Sequence, residues 1–391
     1  MKKFVTISQV AEVNPKIPNE YNKSSKDPVT FLPMAAVSEQ GIITTLEEGI
    51  YCDVVKGYRY FENGDIIVAK ITPCMENGKA AYVENLPHNI GFGSTEFHVI
   101  RPSNEIDGRY LFYMVWSPDF RSIAGRNMTG TAGQKRVPTD FIKRYKIPLP
   151  PIEEQKRIAT IVDKADRIRR KRQEAIRLTE ELGRSIFLDM FGDPVTNPKG
   201  LETRPLGDIA TFLGGGTPAR SKDEYFQGDI CWASSKDMGN EILVDTQEHI
   251  TQEAIDNSST RLVPSGTLLV VVKSKILMRR LPVSRTAVDT CFNQDIKAIV
   301  PRDLSLTRYL QLHLKLGQET LLRQARGVNT EDLTLEHLRK YPVLMPKQES
   351  IEKITVTMQE LERMLLRNRS AFQESENLFN SLLQRAFRGE L

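Results

Sequence analysis

Cysteine is scarce in this chain of 391 residues, and the four present, Cys52, Cys74, Cys231 and Cys291, stand far apart. There is no C-x-x-C pair and no histidine at ligand spacing, which argues against a zinc site and against a disulfide scaffold. Scattered thiols read instead as small buried hydrophobes in a reducing compartment. Long apolar runs are missing too: nothing approaches the roughly 20 residues a membrane span needs. Met1-Lys2-Lys3-Phe4 soon meets Glu12 and Pro15 without an apolar signal core. The expectation is a soluble, cytoplasmic chain with no membrane partner. Nor does one sign of charge dominate, since 54 Lys and Arg against 50 Asp and Glu leave +4. That balance permits a nucleic-acid partner without demanding one. There is no Walker A loop, because Gly78-Lys79-Ala80 lacks the upstream glycine and the following Ser or Thr. No clustered acid–acid–lysine set marks a nuclease.

What is present is repetition. Tyr145-Lys146-Ile147-Pro148-Leu149-Pro150 opens a charged helical run that closes at Leu188-Asp189-Met190-Phe191. Tyr341-Pro342-Val343-Leu344-Met345-Pro346 opens a second, closing at Gln384-Arg385-Ala386-Phe387. Upstream, Gly64-Asp65-Ile66-Ile67-Val68-Ala69-Lys70 is echoed by Gly266-Thr267-Leu268-Leu269-Val270-Val271-Val272-Lys273. Phe97-His98-Val99-Ile100-Arg101-Pro102 is echoed by Lys297-Ala298-Ile299-Val300-Pro301-Arg302, and Arg109-Tyr110-Leu111 by Arg308-Tyr309-Leu310. The plan is globule, long helix, globule, long helix: 1–150, 151–192, 193–346 and 347–391. Two similar surfaces meeting one partner imply a partner with two half-sites.

The first helical run, about 60 Å if helical throughout, carries a narrow apolar stripe through Ile158, Ile161, Ala165, Ile168, Ala175, Leu182 and Ile186, interrupted at Arg172 and Thr179. The second repeats the rhythm through Ile351, Ile354, Met358, Leu361, Leu365, Phe372, Phe379, Leu382 and Ala386, interrupted at Asn368 and Ser375. Such a stripe is closer to a coiled-coil seam than to a broad core face, and polar seam residues fix register. Antiparallel pairing of the two helices within one chain is expected; parallel pairing between two chains is the competing arrangement. Arg169-Arg170-Lys171-Arg172, with acidic neighbours on every side, reads as a solvated face. The fold class is therefore α+β: two mixed α/β globules and two long antiparallel coiled-coil helices in a pseudo-two-fold internal repeat.

Strands are expected at 65–70, 97–100, 267–273 and 296–300, and helices at 109–123, 139–144, 304–324 and 330–340. Residues 192–200, rich in Pro, Gly and Asn, mark the boundary between halves. The halves diverge most in their polar loops. Arg126, Asn127, Thr131, Gln134, Lys135 and Arg136 fall in one, and Arg323, Arg326, Asn329 and Thr330 in its counterpart. Guanidinium, amide and hydroxyl groups on a flexible backbone suit phosphate clamping and base-edge hydrogen bonds. Lys273, Lys275 and Arg279, with Arg280 and Arg285, add positive charge behind the 267–273 strand, and Lys70 and Thr72 take the equivalent place in the first half. A common frame with divergent loops is what two different half-site readers require.

At this point the chain resembles the specificity subunits of type I restriction-modification enzymes. The resemblance rests on Ile147-Pro148-Leu149-Pro150-Pro151-Ile152-Glu153-Glu154-Gln155-Lys156-Arg157-Ile158 followed by a long helix, its most specific part. Gly214-Gly215-Gly216-Thr217-Pro218, Gly93-Ser94-Thr95-Glu96-Phe97, Trp232-Ala233-Ser234-Ser235-Lys236-Asp237-Met238 and Phe387-Arg388-Gly389-Glu390-Leu391 add to it. It covers essentially the whole sequence. The resemblance implies that each globule is a target recognition domain reading one half of a bipartite, asymmetric site on double-stranded DNA. The helices would set the spacing and dock two methyltransferase (modification) subunits, with restriction (translocase/nuclease) subunits joining to complete the endonuclease. It implies no catalytic residue, cofactor or metal in this chain. Two departures stand out: Asn14-Pro15-Lys16-Ile17-Pro18 replaces the glycine turn in the first half, and Met345-Pro346-Lys347-Gln348-Glu349 opens the second helix.

Two rivals remain. A self-sufficient DNA methyltransferase would use Phe212-Leu213-Gly214-Gly215-Gly216 as a cofactor turn, yet no Asn-Pro-Pro-Tyr or Asp-Pro-Pro-Tyr string exists to hold a flipped base. A coiled-coil scaffold that binds only protein is the non-enzymatic alternative, against which the repeated polar loops count.

Overall fold

The computed structural model describes residues 4–18, 26–131, 133–325, 332–388 and 390–391. The chain divides into two units, 1–173 with 370–391 and 174–369. Both are mixed α/β, as the sequence leads one to expect.

In the first unit the strand Ile66–Ala69 lies between Phe97–Pro102 and Ala80–Tyr82, all antiparallel, with Ala11–Val13 beyond Phe97–Pro102. Its four residues are all buried, and alternation sends them two ways. Ile66 and Val68 join the core around Tyr110 and Leu111 of the Gly108–Trp116 helix. Ile67 and Ala69 join a second core with Leu32 and Phe61. Those two belong to a further sheet, ordered Glu47–Ile50, Pro28–Leu32, Ile90–Gly93, Arg59–Glu62. A strand covered on both faces explains why 66–69 is an unbroken apolar run.

The second unit repeats the scheme. Leu268–Val271 lies between Ile296–Pro301 and Val283–Thr286. Leu268 and Val270 pack with Tyr309 and Leu310, while Leu269 and Val271 pack with Ala233 and Phe292. A smaller sheet is ordered Glu248–Ile250, Ile230–Ala233, Thr290–Phe292.

Strand register corrects the correspondence drawn from string similarity. Ile66 faces Ile100 and Ala69 faces Phe97; Leu268 faces Ile299 and Val271 faces Ile296. Phe97–Pro102 therefore answers Ile296–Pro301, one residue earlier than the strings align. Lys70 answers Val272, not Lys273. The hydrogen bonds agree: Lys70 N–H donates to Glu96 O (2.9 Å), and Val272 N–H donates to Asp295 O (2.8 Å).

Two expected helices are each broken once. The 109–123 run is Gly108–Trp116 and Pro118–Arg126, because Ser117 before a proline is extended and its hydroxyl caps Phe120 N–H. The 304–324 run divides into a short turn at Leu304–Leu306, then Thr307–Leu316 and Gln318–Ala325. The break is at Gly317, where the Tyr341 hydroxyl approaches too closely for any Cβ. Thr334 caps the last short helix, Leu335–Lys340.

The long helices are Ile152–Phe191 and Gln348–Arg388. Within the first unit, Ile158, Ala159, Val162 and Ala165 share a core with Phe379, Leu383 and Ala386. Within the second, Glu180 pairs with Arg369 (2.9 Å), and Gly183 sits against Leu361 and Met358, so the two segments run antiparallel there. The second stripe is wholly buried or half-buried. The first is partly wrong: Ile168 and Leu182 are 49% and 48% exposed, while Val162 and Phe187 are buried. A strict seven-residue count drifts by about 20° per heptad against a straight helix, and Phe187 is claimed by the core of its own globule. The polar positions Thr179 and Ser375 are buried and satisfy themselves on their own helices, at Ala175 O (2.7 Å) and Phe372 O (2.7 Å). Among the described residues no helix is long and apolar enough to cross a membrane.

Each unit buries a neutral histidine. His313 Nε2 accepts from Leu344 N–H (3.0 Å), so its proton is on Nδ1, directed to Tyr341 Oη (3.2 Å). His98 Nε2 donates to Val137 O (2.8 Å), leaving Nδ1 to accept from Asn14 (3.3 Å). Burial pushes both down to about 4. An unfolded histidine takes its proton near pH 6.5. Stability is thus full above about pH 6.5 and is lost as pH falls toward 4, by roughly 3 kcal/mol per histidine when complete. Urea unfolding is expected to show a lower midpoint near pH 4.5 than near neutrality; equal midpoints would contradict the assignment.

Candidate nucleic-acid interface

The first-half loop is a short ribbon folded onto the exit of the Ile66–Ala69 strand. Thr129 and Arg136 exchange both backbone hydrogen bonds (2.9 and 2.8 Å). Val137 N–H donates to Lys70 O (2.8 Å), and Thr72 N–H donates to Lys135 O (3.0 Å). Gly130 (φ 125°) and Gly133 (φ 82°) turn the tip, conformations open to glycine at little cost. The exposed tip carries Thr131, Gln134 and Lys135. Lys70 and Thr72 are half-buried at its base, where Thr72 Oγ1 meets Met128 Sδ (3.5 Å).

Electrostatically this place is cationic. Arg136 grips Glu96 through Nε (3.0 Å) and Nη2 (2.9 Å). That hydrogen bonding, with Lys70 and Arg59 nearby, holds the Glu96 carboxyl below its usual range. Lys70 is pushed down, first by burial and then by Arg59 and Arg136, against the pull of Glu96. Three cations thus face one carboxylate.

The other first-half candidates lie elsewhere. Arg126 ends the Pro118–Arg126 helix, bonds Ser122 Oγ (3.1 Å) and lines a cleft with Asp119, Lys146 and Phe387. Asn127 spends its amide on Ile123 O (2.8 Å), at the end of that helix. Both are exposed. Glu96 escaped the sequence reading although Gly93-Ser94-Thr95-Glu96-Phe97 was in view; an acid among candidate DNA contacts carries no signal until its partner is seen.

In the second unit Lys273 is exposed and pairs with Asp332 (3.6 Å). Leu333 N–H donates to Val272 O (2.8 Å), so the chain after the second loop returns to the strand exit as Val137 does to Lys70. Lys275 begins a short 3-10 turn and Arg279 follows it, both exposed, with no hydrogen bond or ion pair on their side chains among the described residues. Arg323 meets Glu319 (3.3 Å) on the Gln318–Ala325 helix. Arg326, Asn329 and Thr330 lie outside the described residues. Arg285 is no part of an exposed patch: its side chain is 11% exposed and held by Glu362 (2.9 Å), which also holds Arg308 (3.4 Å).

The glycines that imitate a cofactor turn have another explanation. A Cβ at Gly215 would run into the carbonyl oxygens of Phe292 and Asn293, and one at Gly216 into Ser259. Gly216 O accepts from Trp232 Nε1 (3.1 Å). Glycine is required there by backbone packing.

The family described as type I restriction modification DNA specificity domain matches residues 2–178 and again 198–371. Over 157 residues the chain is 44% identical to the type I restriction enzyme EcoAI specificity subunit of Escherichia coli, a stretch that is 40% of this chain and 26% of that protein. The MjaIX specificity subunit of Methanocaldococcus jannaschii is 28% identical over 166 residues, 41% of this chain and 38% of the relative. The matches therefore span between about a quarter and two fifths of those relatives' lengths. Among solved structures, the type I restriction-modification S subunit from M. genitalium aligns with a TM-score of 0.60 at 14% identity, over 98% of this chain and 96% of that one. A chain from a structure described as the basis of complex assembly and conformational transition of the type I R-M system aligns at 0.56 and 21%, over 100% and 98%. At these identities the structural likeness speaks for the fold. With the family's domain matched twice along most of the sequence, the chain belongs to the type I restriction-modification DNA specificity family.

Proposed function

We propose that this chain is the DNA-reading specificity subunit of a type I restriction-modification complex. It has no catalytic residues of its own and acts in the cytoplasm. One recognition domain, 1–150, reads one half of a bipartite, asymmetric site on double-stranded DNA, and a second, 193–346, reads the other. The intervening segments, 151–192 and 347–391, form an antiparallel coiled coil related by a pseudo-two-fold repeat. They dock two methyltransferase subunits, to which restriction subunits are added. The observation that carries this reading is the return of a polar loop to the exit of the same central strand in both units, through Val137 to Lys70 and through Leu333 to Val272. A shared frame with different side chains at that exit suits two readers of different sequences.

Methylation mapping by single-molecule sequencing tests it, in a methylation-free host that also expresses the neighbouring methyltransferase gene. A bipartite motif with a fixed gap, seen only with both genes, is the expected result. Replacing the 126–136 loop should then change one half-site and replacing 323–330 the other; a change in both halves from either replacement would sink the modular reading. Methylation from this chain alone would favour an enzyme.

Lys135 gives a second test. It sits on the exposed ribbon tip, so Lys135→Ala should weaken DNA binding across sequences and reduce the salt slope by about one. An unchanged slope would remove Lys135 from the phosphate contacts. Salt-independent capture of protein only would instead favour a scaffold.

A further inference from the structure

The small sheet of the second unit assembles a set of side chains whose spacing in the sequence hides them. Strand Ile230–Ala233 runs antiparallel to Glu248–Ile250, with Cys231 directly opposite His249, so both side chains share one face. Asp245 precedes that second strand. Its Oδ1 is 3.6 Å from Cys231 Sγ and 2.8 Å from His249 Nε2. One ligand atom from each of the three lies within 4.8 Å of the others.

We propose that Cys231, Asp245 and His249 form a binding site for a thiophilic divalent cation of the zinc class. A tetrahedral ion with bonds of about 2.3 Å to sulfur and about 2.0–2.1 Å to nitrogen and oxygen holds its ligand atoms about 3.3–3.6 Å apart. The sulfur–oxygen gap already fits. The nitrogen–oxygen gap has to open by about 0.5 Å, as the hydrogen bond between them gives way to two metal bonds. Thiolate with imidazole selects zinc or cobalt over magnesium or calcium.

The hairpin is braced for the task. Trp232 N–H donates to Thr246 Oγ1 (3.1 Å), Thr246 Oγ1 donates to Glu248 O (2.7 Å), and Thr246 N–H orients Asp245 at Oδ1 (2.9 Å). Cys231 is buried behind the others, whereas the His249 and Asp245 side chains are 32% and 67% exposed. A cation thus enters from solvent, and water completes its fourth position. Cys231 is separated from Asp245 by 14 residues and Asp245 from His249 by four. Strand pairing, not a local motif, brings them together, which is why the scattered cysteines argued against such a site. The proposal is independent of the DNA-reading assignment.

The full chain, stripped of metal with a chelator, should be titrated with cobalt(II) and followed by near-ultraviolet absorption. A thiolate-to-cobalt charge-transfer band saturating at one equivalent and displaced by zinc is expected. Cys231→Ser should abolish the band, and Asp245→Asn or His249→Ala should weaken binding about tenfold or more. Cys52→Ser, Cys74→Ser and Cys291→Ser should each retain it. Because Asp245 is exposed, its variant tests the site even if a change at Cys231 disturbs the sheet. No band, a band that survives Cys231→Ser, or affinity unmoved by both Asp245→Asn and His249→Ala would overturn the proposal.

Discussion

Arg169→Ala is expected to destabilise the first unit by about 3–4 kcal/mol. Arg169 is 8% exposed. Its Nη2 donates to Asp166 Oδ1 (2.7 Å) and its Nη1 to Glu376 (3.3 Å). The guanidinium also lies over the rings of Phe379 (4.8 Å) and Trp116 (5.5 Å). Truncation removes both ring contacts and leaves Asp166, 2% exposed, with a buried charge. Breaking a buried ion pair from one side costs about 3–5 kcal/mol. Arg170 still reaches Asp166, which holds the loss to the lower part of that range. Urea unfolding measures it. The neighbours Lys171 and Arg172 are exposed, and alanine there should shift stability by no more than about 0.5 kcal/mol. A loss below about 1 kcal/mol for Arg169→Ala would return it to the solvated face that the charge pattern suggested.

Phe187→Ala should cost the second unit about 3–5 kcal/mol. The ring is fully buried. It stacks on Tyr309 with centroids 5.6 Å apart and meets Phe191 edge-on at 5.1 Å. Tyr309 Oη donates to Leu344 O (2.6 Å), and Leu344 N–H donates to His313. The cavity would therefore open beside the hydrogen bonds that hold the Pro342–Leu344 strand, and a ring-lined site relaxes poorly around a missing ring. Phe187→Leu, which keeps most of the volume, should lose distinctly less. If alanine and leucine cost the same small amount, the ring is not a packing centre and the assignment fails.

These two residues also mark what was legible beforehand. Proline stops and unbroken charged runs located both long helices to within a few residues, because nothing in 152–191 or 348–388 interrupts a helix. The stripe was harder. Ile168 and Leu182 satisfied the spacing but point to solvent, while Arg169 is buried because aromatic rings and two acids accept it. Local pattern records apolar spacing; it does not record which charged group finds partners. The four expected strands lie within two residues of Ile66–Ala69, Phe97–Pro102, Leu268–Val271 and Ile296–Pro301, since β-branched runs between glycine and proline have few alternatives. The strands of the second sheet in each unit, such as Pro28–Leu32 and Ile230–Ala233, were not read from the sequence. Of the candidate contacts, Lys70, Thr72 and the 129–136 ribbon come together through backbone pairing, whereas Arg126 and Asn127 serve the end of a helix. Side-chain direction depends on where a helix stops, and the loop sequence alone did not carry that.

The one-residue offset between the halves has a consequence for anyone building hybrids. Matching Lys70 to Lys273 looks natural by eye, but the ladder pairs Ala69 with Phe97 and Val271 with Ile296. A crossover placed at the two lysines would insert or delete one residue at the strand exit. Everything grafted downstream would then enter out of phase, presenting to solvent the groups meant for the core. Joining at Ala69 and Val271 keeps the pleat in step, so transplanted loops would differ in chemistry and not in aim.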